Sequence, residues 1–264
     1  MRERIPVVVQ GRGSRRRARF AGALWAVAEI TVTLGVVVLL LVVHQLWWTN
    51  RQAREGAERR VHALEREWDA SVGEAPEATP SGEPPGGEDP PAAEGGGRDP
   101  GPRERESVRP PAPRWDQAYA VLRIPRLGVV APVAQGISKQ GVLDKGYIGH
   151  YPGTAHPGGG GNFAVAGHRN THGEPFRHID RLRKGDEIRV ETRSAVYVYA
   201  VDRALTRTSP RDTGVIRPVP RSLITPSAGY SAPGYYLTLT TCTPEYSSRY
   251  RLIVWGKLTS MRPR

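Results

Sequence analysis

The chain has 264 residues, a formal net charge of +12, 24 Pro, 30 Gly and a single cysteine. One cysteine excludes an intrachain disulfide framework, and much of the Pro and Gly sits in one stretch that cannot bury a core. The charge would suit nucleic acid or an anionic surface, but many of the basic residues flank an apolar segment, which argues for a membrane and against nucleic acid.

Residues 1–19 form a basic tail that carries Arg12, Arg15, Arg16, Arg17 and Arg19. Residues 20–48 are apolar, interrupted chiefly by Glu29 and His44, and exceed the ~20 residues needed to cross a bilayer. Trp47 and Trp48 at the far end suit a membrane interface, and the Arg run favours a cytoplasmic N-terminus, so the rest of the chain is expected outside a cell membrane crossed once. Gln45, Trp47, Trp48 and Asn50 make a poor cleavage site, which predicts a retained anchor rather than a removed signal peptide. Over residues 49–70, Ala57, Val61, Leu64 and Trp68 recur at helical spacing. This predicts a short juxtamembrane helix, read as solvated because fewer than two heptads are too few for a coiled coil. Residues 71–113 are Pro- and Gly-rich with almost no large apolar side chain, which predicts a disordered tether.

The remaining stretch, 114–260, has the size of one domain and the signature of short strands. Tyr119 to Ile124, Val129 to Val133, Asn162 to Ala166, Glu187 to Glu191, Ala195 to Val201, Tyr235 to Thr241 and Tyr250 to Lys257 are β-branched or aromatic runs between Gly, Pro and Asp turns. One helical turn is expected around Phe176 to Leu182. The pattern predicts an all-β barrel or sandwich. Gly158 to Gly161 lacks the Lys-Ser/Thr of a phosphate loop and precedes a strand, so it reads as a flexible loop.

Three residues in this domain carry candidate chemistry. Cys242 closes the Tyr235-to-Thr241 strand and is followed by Thr243-Pro244, a placement that presents a thiol at a rigid edge. His168 closes the Asn162-to-Ala166 run after Gly167, and an imidazole is the side chain best matched to activating a thiol near neutral pH. Arg251 lies in the next strand, where a guanidinium could stabilise an oxyanion or hold a peptide backbone. Arg249 falls on the same face by strand alternation, so the pattern alone does not choose between them. A rival reading gathers His150, His156, His168, His172 and Cys242 into a metal site. Another makes the domain a non-catalytic surface module.

Taken together, these residues resemble the sortase family. Thr238-Leu239-Thr240-Thr241-Cys242 is similar to the sortase TLxTC signature, Gly167-His168 to the catalytic histidine motif, and Arg251 before Leu-Ile-Val to the catalytic arginine. Ile124-Pro125-Arg126-Leu127, His150-Tyr151-Pro152-Gly153-Thr154-Ala155 and Leu182 to Ile188 extend the resemblance across the domain. The His-Tyr-Pro-Gly-Thr-Ala segment and Pro244 resemble class E, the housekeeping type of high-GC Gram-positive bacteria.

The resemblance implies a closed eight-stranded β-barrel and a cysteine transpeptidase with Cys242, His168 and Arg251 catalytic, and with Thr241 and Tyr151 touching substrate. It implies no cofactor and no metal. The implied partners are secreted proteins with a C-terminal LAxTG- or LPxTG-like sorting signal and an amine of a peptidoglycan precursor, met at the plasma membrane.

Overall fold

A computed structural model describes residues 13–73 and 113–264. One helix, α1 (Gly13–Gly73), is followed by eight strands: β1 (Ala118–Ile124), β2 (Val129–Gln135), β3 (Ile148–His150), β4 (Gly161–Ala166), β5 (Glu187–Thr192), β6 (Ala195–Thr208), β7 (Tyr235–Thr243) and β8 (Tyr250–Pro263). They close into a barrel in the order β1-β2-β3-β4-β7-β8-β6-β5, with β1 and β5 completing the ring. Two pairs are parallel, β2 with β3 and β4 with β7.

The strands form where period-two patterning gives each an inward face. Leu122, Ile124, Val133, Phe163, Val165, Ile188, Val190, Leu237, Leu239, Leu252 and Val254 fill the interior. Each such apolar side chain contributes about 1.5–3 kcal/mol on full burial. On β7 the alternate residues face outward, yet Tyr236 is also buried. There the segment between β6 and β7 folds over the outer face, packing Val215 and Tyr230 against Tyr236, Ile253 and Trp255. The Trp255 indole donates to the Val215 carbonyl at 3.2 Å, which satisfies its polar edge beneath this cover.

β3 has no counterpart among the expected strands, because three residues are too few to show a period. Strands β6 and β8 run on to Thr208 and Pro263, past the apolar runs that marked them. The expected helical turn is a 3-10 turn at Ile179–Arg181.

The stretch of α1 from Phe20 to Trp48 presents its large apolar side chains outward, Phe20 at 70% and Trp48 at 52% exposure. It is, among the described residues, the one helix long and apolar enough to cross a membrane. Beyond it the helix changes role. Ala57, Val61, Leu64 and Trp68 are buried, the last three against Ala118, Val121, Ala134 and Val142. The stripe read as solvated is therefore a docking face, because the outer side of β1 and β2 supplies the apolar surface that a short amphipathic helix needs.

Polar contacts frame this dock. Arg123 pairs with Glu65 of the helix and with Glu191 of β5, and the Arg264 guanidinium lies 4.7 Å from the centre of the Trp68 indole. At Gly146, whose φ is 79°, an added Cβ would stand 2.9 Å from the Ala53 carbonyl oxygen, so the close approach of helix and barrel depends on that glycine. The expected tether lies outside the described residues, apart from its first three positions, which continue α1, and Pro113.

Truncating Trp68 to Ala is expected to cost about 3 kcal/mol of stability by emptying the centre of the dock. Denaturant unfolding of the full chain in detergent checks it, with a lowered midpoint at unchanged slope as the expected result.

Candidate active site

The register of three strands builds the site. In the antiparallel β7–β8 pair Cys242 stands directly opposite Arg251, which puts the two side chains on one face. Arg249 precedes β8, and its guanidinium lies 5.3 Å from the Tyr250 ring centre, so the register singles out Arg251 where alternation did not. In the parallel β4–β7 pair Ala166 aligns with Thr240, and the Gly167 amide donates to the Thr240 carbonyl at 3.1 Å. His168 follows Gly167 directly, in the loop that leaves β4 beside the end of β7.

Alternation along β7 assigns the faces. Leu237 and Leu239 point into the barrel, so Tyr236, Thr238, Thr240 and Cys242 share the outer face. The segment between β6 and β7 covers the Tyr236 end of this face, while Cys242 at the other end is half-buried, a free thiol with an approach from solvent. The Tyr151 hydroxyl lies 3.1 Å from the Thr240 hydroxyl, which stands Tyr151 beside the open end. Thr241 faces the opposite way: it is buried, and its hydroxyl donates to the Gly167 carbonyl at 2.8 Å. The side chain expected on substrate instead ties β7 to the residue before His168. Gly167 is needed there, since a Cβ would come within 2.7 Å of the Phe176 ring.

Two further side chains hold the constellation, and sequence reasoning passed over both. Asp144, in the 3-10 turn Leu143–Lys145, places Oδ1 2.8 Å from His168 Nε2. A carboxylate at that distance fixes both the ring orientation and the tautomer. Arg169 is buried and donates from Nη1 to the Thr243 hydroxyl at 3.0 Å and to the Cys242 carbonyl at 3.4 Å, while Nη2 lies 3.4 Å from Asp180. It clamps the loop after β4 to the end of β7. Arg169 follows His168 directly, a usable signal; Asp144 lies 24 positions away on another loop, and no spacing points to it.

The Arg251 guanidinium donates to the Ser248 and Tyr250 carbonyls at 2.9 and 3.0 Å, folded onto its own turn with donors left for a ligand.

Glu174 ties this loop to its surroundings. It is buried and accepts from Asn50 Nδ2 at 2.6 Å, Arg177 Nη1 at 2.7 Å and Arg54 Nη2 at 3.2 Å. Burial alone would raise its pKa, but the hydrogen bonds from Asn50 and Arg177 outweigh that and hold it below the usual carboxylate range. Arg177 also reaches Glu245 and the Tyr246 hydroxyl in the turn after β7. One carboxylate thus links α1, the histidine loop and the turn that follows the cysteine strand.

The five-residue metal reading does not assemble. His150 is buried among Tyr119, Gln135 and Phe163, with Nε2 3.1 Å from the Ala155 carbonyl, and His156 packs against it edge to face. Burial, helped by repulsion from His156, pushes the His150 imidazole down to about 4. His168 and His172 lie elsewhere, around Asp144.

The arrangement defines a class: a thiol and a guanidinium on the open end of a barrel face, with an oriented imidazole in the adjoining loop, groups able to support acyl transfer through a thioester. A profile of the sortase domain matches residues 122–259. The chain is 42% identical to sortase SrtE1 of Streptomyces coelicolor over 94% of this chain and 62% of SrtE1, so it spans under two thirds of that relative's length. It is 32% identical to SrtE2 of the same organism over 94% of this chain and 87% of SrtE2. The crystal structure of sortase E1 from S. coelicolor with a tripeptide in the active site matches with a TM-score of 0.54 at 51% identity, covering 58% of this chain and 94% of that one. The chain belongs to the sortase family of cysteine transpeptidases, with class E sortases of Streptomyces among its relatives.

Two outcomes follow from this geometry. Asp144→Asn is expected to lower kcat about 10- to 100-fold with little change in KM, because the imidazole loses its orientation while Cys242 and Arg251 keep their places; steady-state kinetics on a reporter peptide check it. His150 sets an acid limit. Unfolding restores an ordinary imidazole near ~6.5, so below that pH the unfolded chain binds the extra proton. About 3 kcal/mol of stability, complete above pH ~6.5, is then lost progressively as pH falls towards ~4. Unfolding midpoints across that range, flattened in His150→Gln, are the measurement.

Proposed function

We propose that this protein is a membrane-anchored sortase. It would cleave an LAxTG- or LPxTG-like sorting signal between Thr and Gly, and join the new carboxyl end to an amine of a cell-wall precursor. The observation that carries the reading is the pairing of Cys242 with Arg251 on the open end of the β7 face, in a chain of this family whose His168 lies in the loop just past the neighbouring β4. The tripeptide in the active site of the Streptomyces relative supports a peptide as the ligand of that face.

In the reading, the Cys242 thiolate attacks the Thr carbonyl carbon, and the negative charge passes to the carbonyl oxygen, where Arg251 donates to it. The intermediate collapses with cleavage of the Thr–Gly bond, and the departing amine takes a proton from His168. A thioacyl enzyme remains. The acceptor amine then attacks the thioester and gives a proton back to His168, and the thiolate leaves, so proton and nucleophile are both restored. Asp144 and Arg169 act by positioning, the first on the imidazole and the second on the strand end that carries the thiol. Thr241 braces Gly167 from within, and Tyr151 forms the wall beside Thr240 where substrate enters.

The anchor belongs to the same reading. Residues 20–48 cross the membrane once with the N-terminus inside, and the barrel docks on the helix just beyond the Trp47–Trp48 belt. Asn50, two residues past that belt, contacts Gly173 and Glu174 in the loop that follows His168. The edge of the barrel that bears the histidine is thereby held beside the bilayer, where a membrane-tethered substrate would arrive. The docked helix keeps that edge at a set height, whatever the length of the chain between residues 73 and 113.

The test uses the full chain in detergent micelles with an LAxTG or LPxTG peptide and excess amine, read by mass spectrometry. An amide-linked product and a thioacyl adduct on Cys242 are expected, both absent from Cys242→Ala, with rates reduced about 10²–10⁴-fold in His168→Ala and about 10²–10³-fold in Arg251→Ala. If the wild-type chain forms neither adduct nor product with either peptide, the reading is overturned.

A further inference from the structure

The loop after β4 brings a second imidazole to Asp144. His172 has a backbone φ of 52°, a left-handed conformation that histidine tolerates better than most residues, and its Nδ1 lies 3.7 Å from the same Asp144 oxygen that meets His168. The two rings stand 5.4 Å apart, centre to centre. One ligand atom from each of Asp144, His168 and His172 lies within 4.8 Å of the others.

The hydrogen bond to Asp144 accounts for His168 but leaves the His172 Nδ1 without one. Its Nδ1 is shut off from solvent and makes no hydrogen bond, since 3.7 Å is too long for one. As an unprotonated nitrogen it would set its lone pair against a carboxylate oxygen, a contact that costs energy. A cation between the two removes that cost. Two donors bound to one tetrahedral ion at ~2.0–2.1 Å stand about 3.4 Å apart, between the 2.8 Å from His168 Nε2 and the 3.7 Å from His172 Nδ1 to the shared Asp144 oxygen, so an ion would replace the His168 hydrogen bond and widen that contact.

We propose that Asp144, His168 and His172 form a site for a divalent transition-metal ion, zinc by the chemistry of its donors, whose occupancy takes His168 out of the reaction. Two imidazoles and a carboxylate suit zinc and leave its fourth position to water or another ligand. The three side chains are 21–32% exposed, which gives the ion an approach from solvent. A His168 ring bound to metal through Nε2 has no second nitrogen free to take up a proton, so it serves neither as base nor as acid. The chain would then be switched off reversibly by zinc outside the membrane. The inhibitory consequence rests on the acid–base role given to His168 above; the binding itself does not.

The experiment separates the two. Untagged full chain bearing Cys242→Ala, in detergent and stripped with a chelator, is titrated with zinc chloride by calorimetry. One zinc per chain is expected, weakened at least about tenfold when His172→Asn is added, since loss of a ligand costs no less than loss of an outer-shell partner. Asn is chosen because it tolerates the left-handed backbone, and His172→Gly serves if Asn disturbs the loop. In the chain with Cys242 intact, zinc should abolish transpeptidation, chelator should restore it, and His172→Asn should remain active at zinc concentrations that silence the parent. Equal zinc affinity with and without His172, or binding that disappears once Cys242 is replaced, would overturn the proposal; the latter would mean that the thiolate is the ligand. Binding as expected in a chain that shows no transpeptidation would uphold the site and fail the functional reading alone.

Discussion

The parallel pairing of β4 with β7 is the contact on which the rest of the site depends. The two strands are separated by more than sixty residues of sequence, and their ladder aligns Ala166 with Thr240. Parallel neighbours advance in the same direction, so both leave the sheet at the same end, and a side chain just beyond each strand emerges at a common edge. That is why a histidine and a cysteine 74 positions apart are carried to one edge of the barrel. The antiparallel β7–β8 pair then adds Arg251 through a short turn, which costs little chain entropy. A slip of one residue in either ladder would turn Cys242 inward towards Leu239 and Leu252, so the apolar filling of the barrel also fixes where the chemistry sits.

Around this edge the protein invests buried charge rather than more apolar surface. Arg169 and Glu174 are both largely withdrawn from water, and each meets several partners, as burial of an ion requires, although the Arg169 Nε makes no hydrogen bond. Both reach between elements that are far apart in sequence, Arg169 from the histidine loop to the cysteine strand and Glu174 from that loop to the juxtamembrane helix. Such groups hold a loop in a single arrangement, because leaving any one of them unpaired in a poorly solvated place is costly. The same loop carries the left-handed residues His172 and Glu174.

Much of this was open to a reader of the residues. Seven of the eight strands announced themselves by β-branched and aromatic runs, and the Thr238-to-Cys242 motif, Gly167-His168 and Arg251 pointed to the site through family resemblance. β3 escaped because three residues carry no periodicity. The Ala57, Val61, Leu64 and Trp68 stripe was legible as one face of a helix, but what covers such a face is a tertiary fact: Val121, Ala134 and Val142 cover it, and none is near in sequence. Asp144 and Arg169 escaped for a related reason. A carboxylate in a turn and an arginine in a loop look solvated until folding gives them partners.

By itself the sequence determined what depends on local pattern and composition: an apolar segment long enough to span a bilayer, a β domain after a Pro- and Gly-rich stretch, and a candidate thiol and imidazole at strand ends. Only the tertiary structure decided what depends on distance between remote residues. It chose Arg251 over Arg249 by register, turned Thr241 inward and Cys242 outward by the alternation of one strand, set Asp144 on His168, and docked the helix on the barrel. The physical reason is the same in each case. A side chain's type is written in the chain, but its neighbours, and hence its charge state, exposure and reach, exist only once strands far apart in sequence lie side by side.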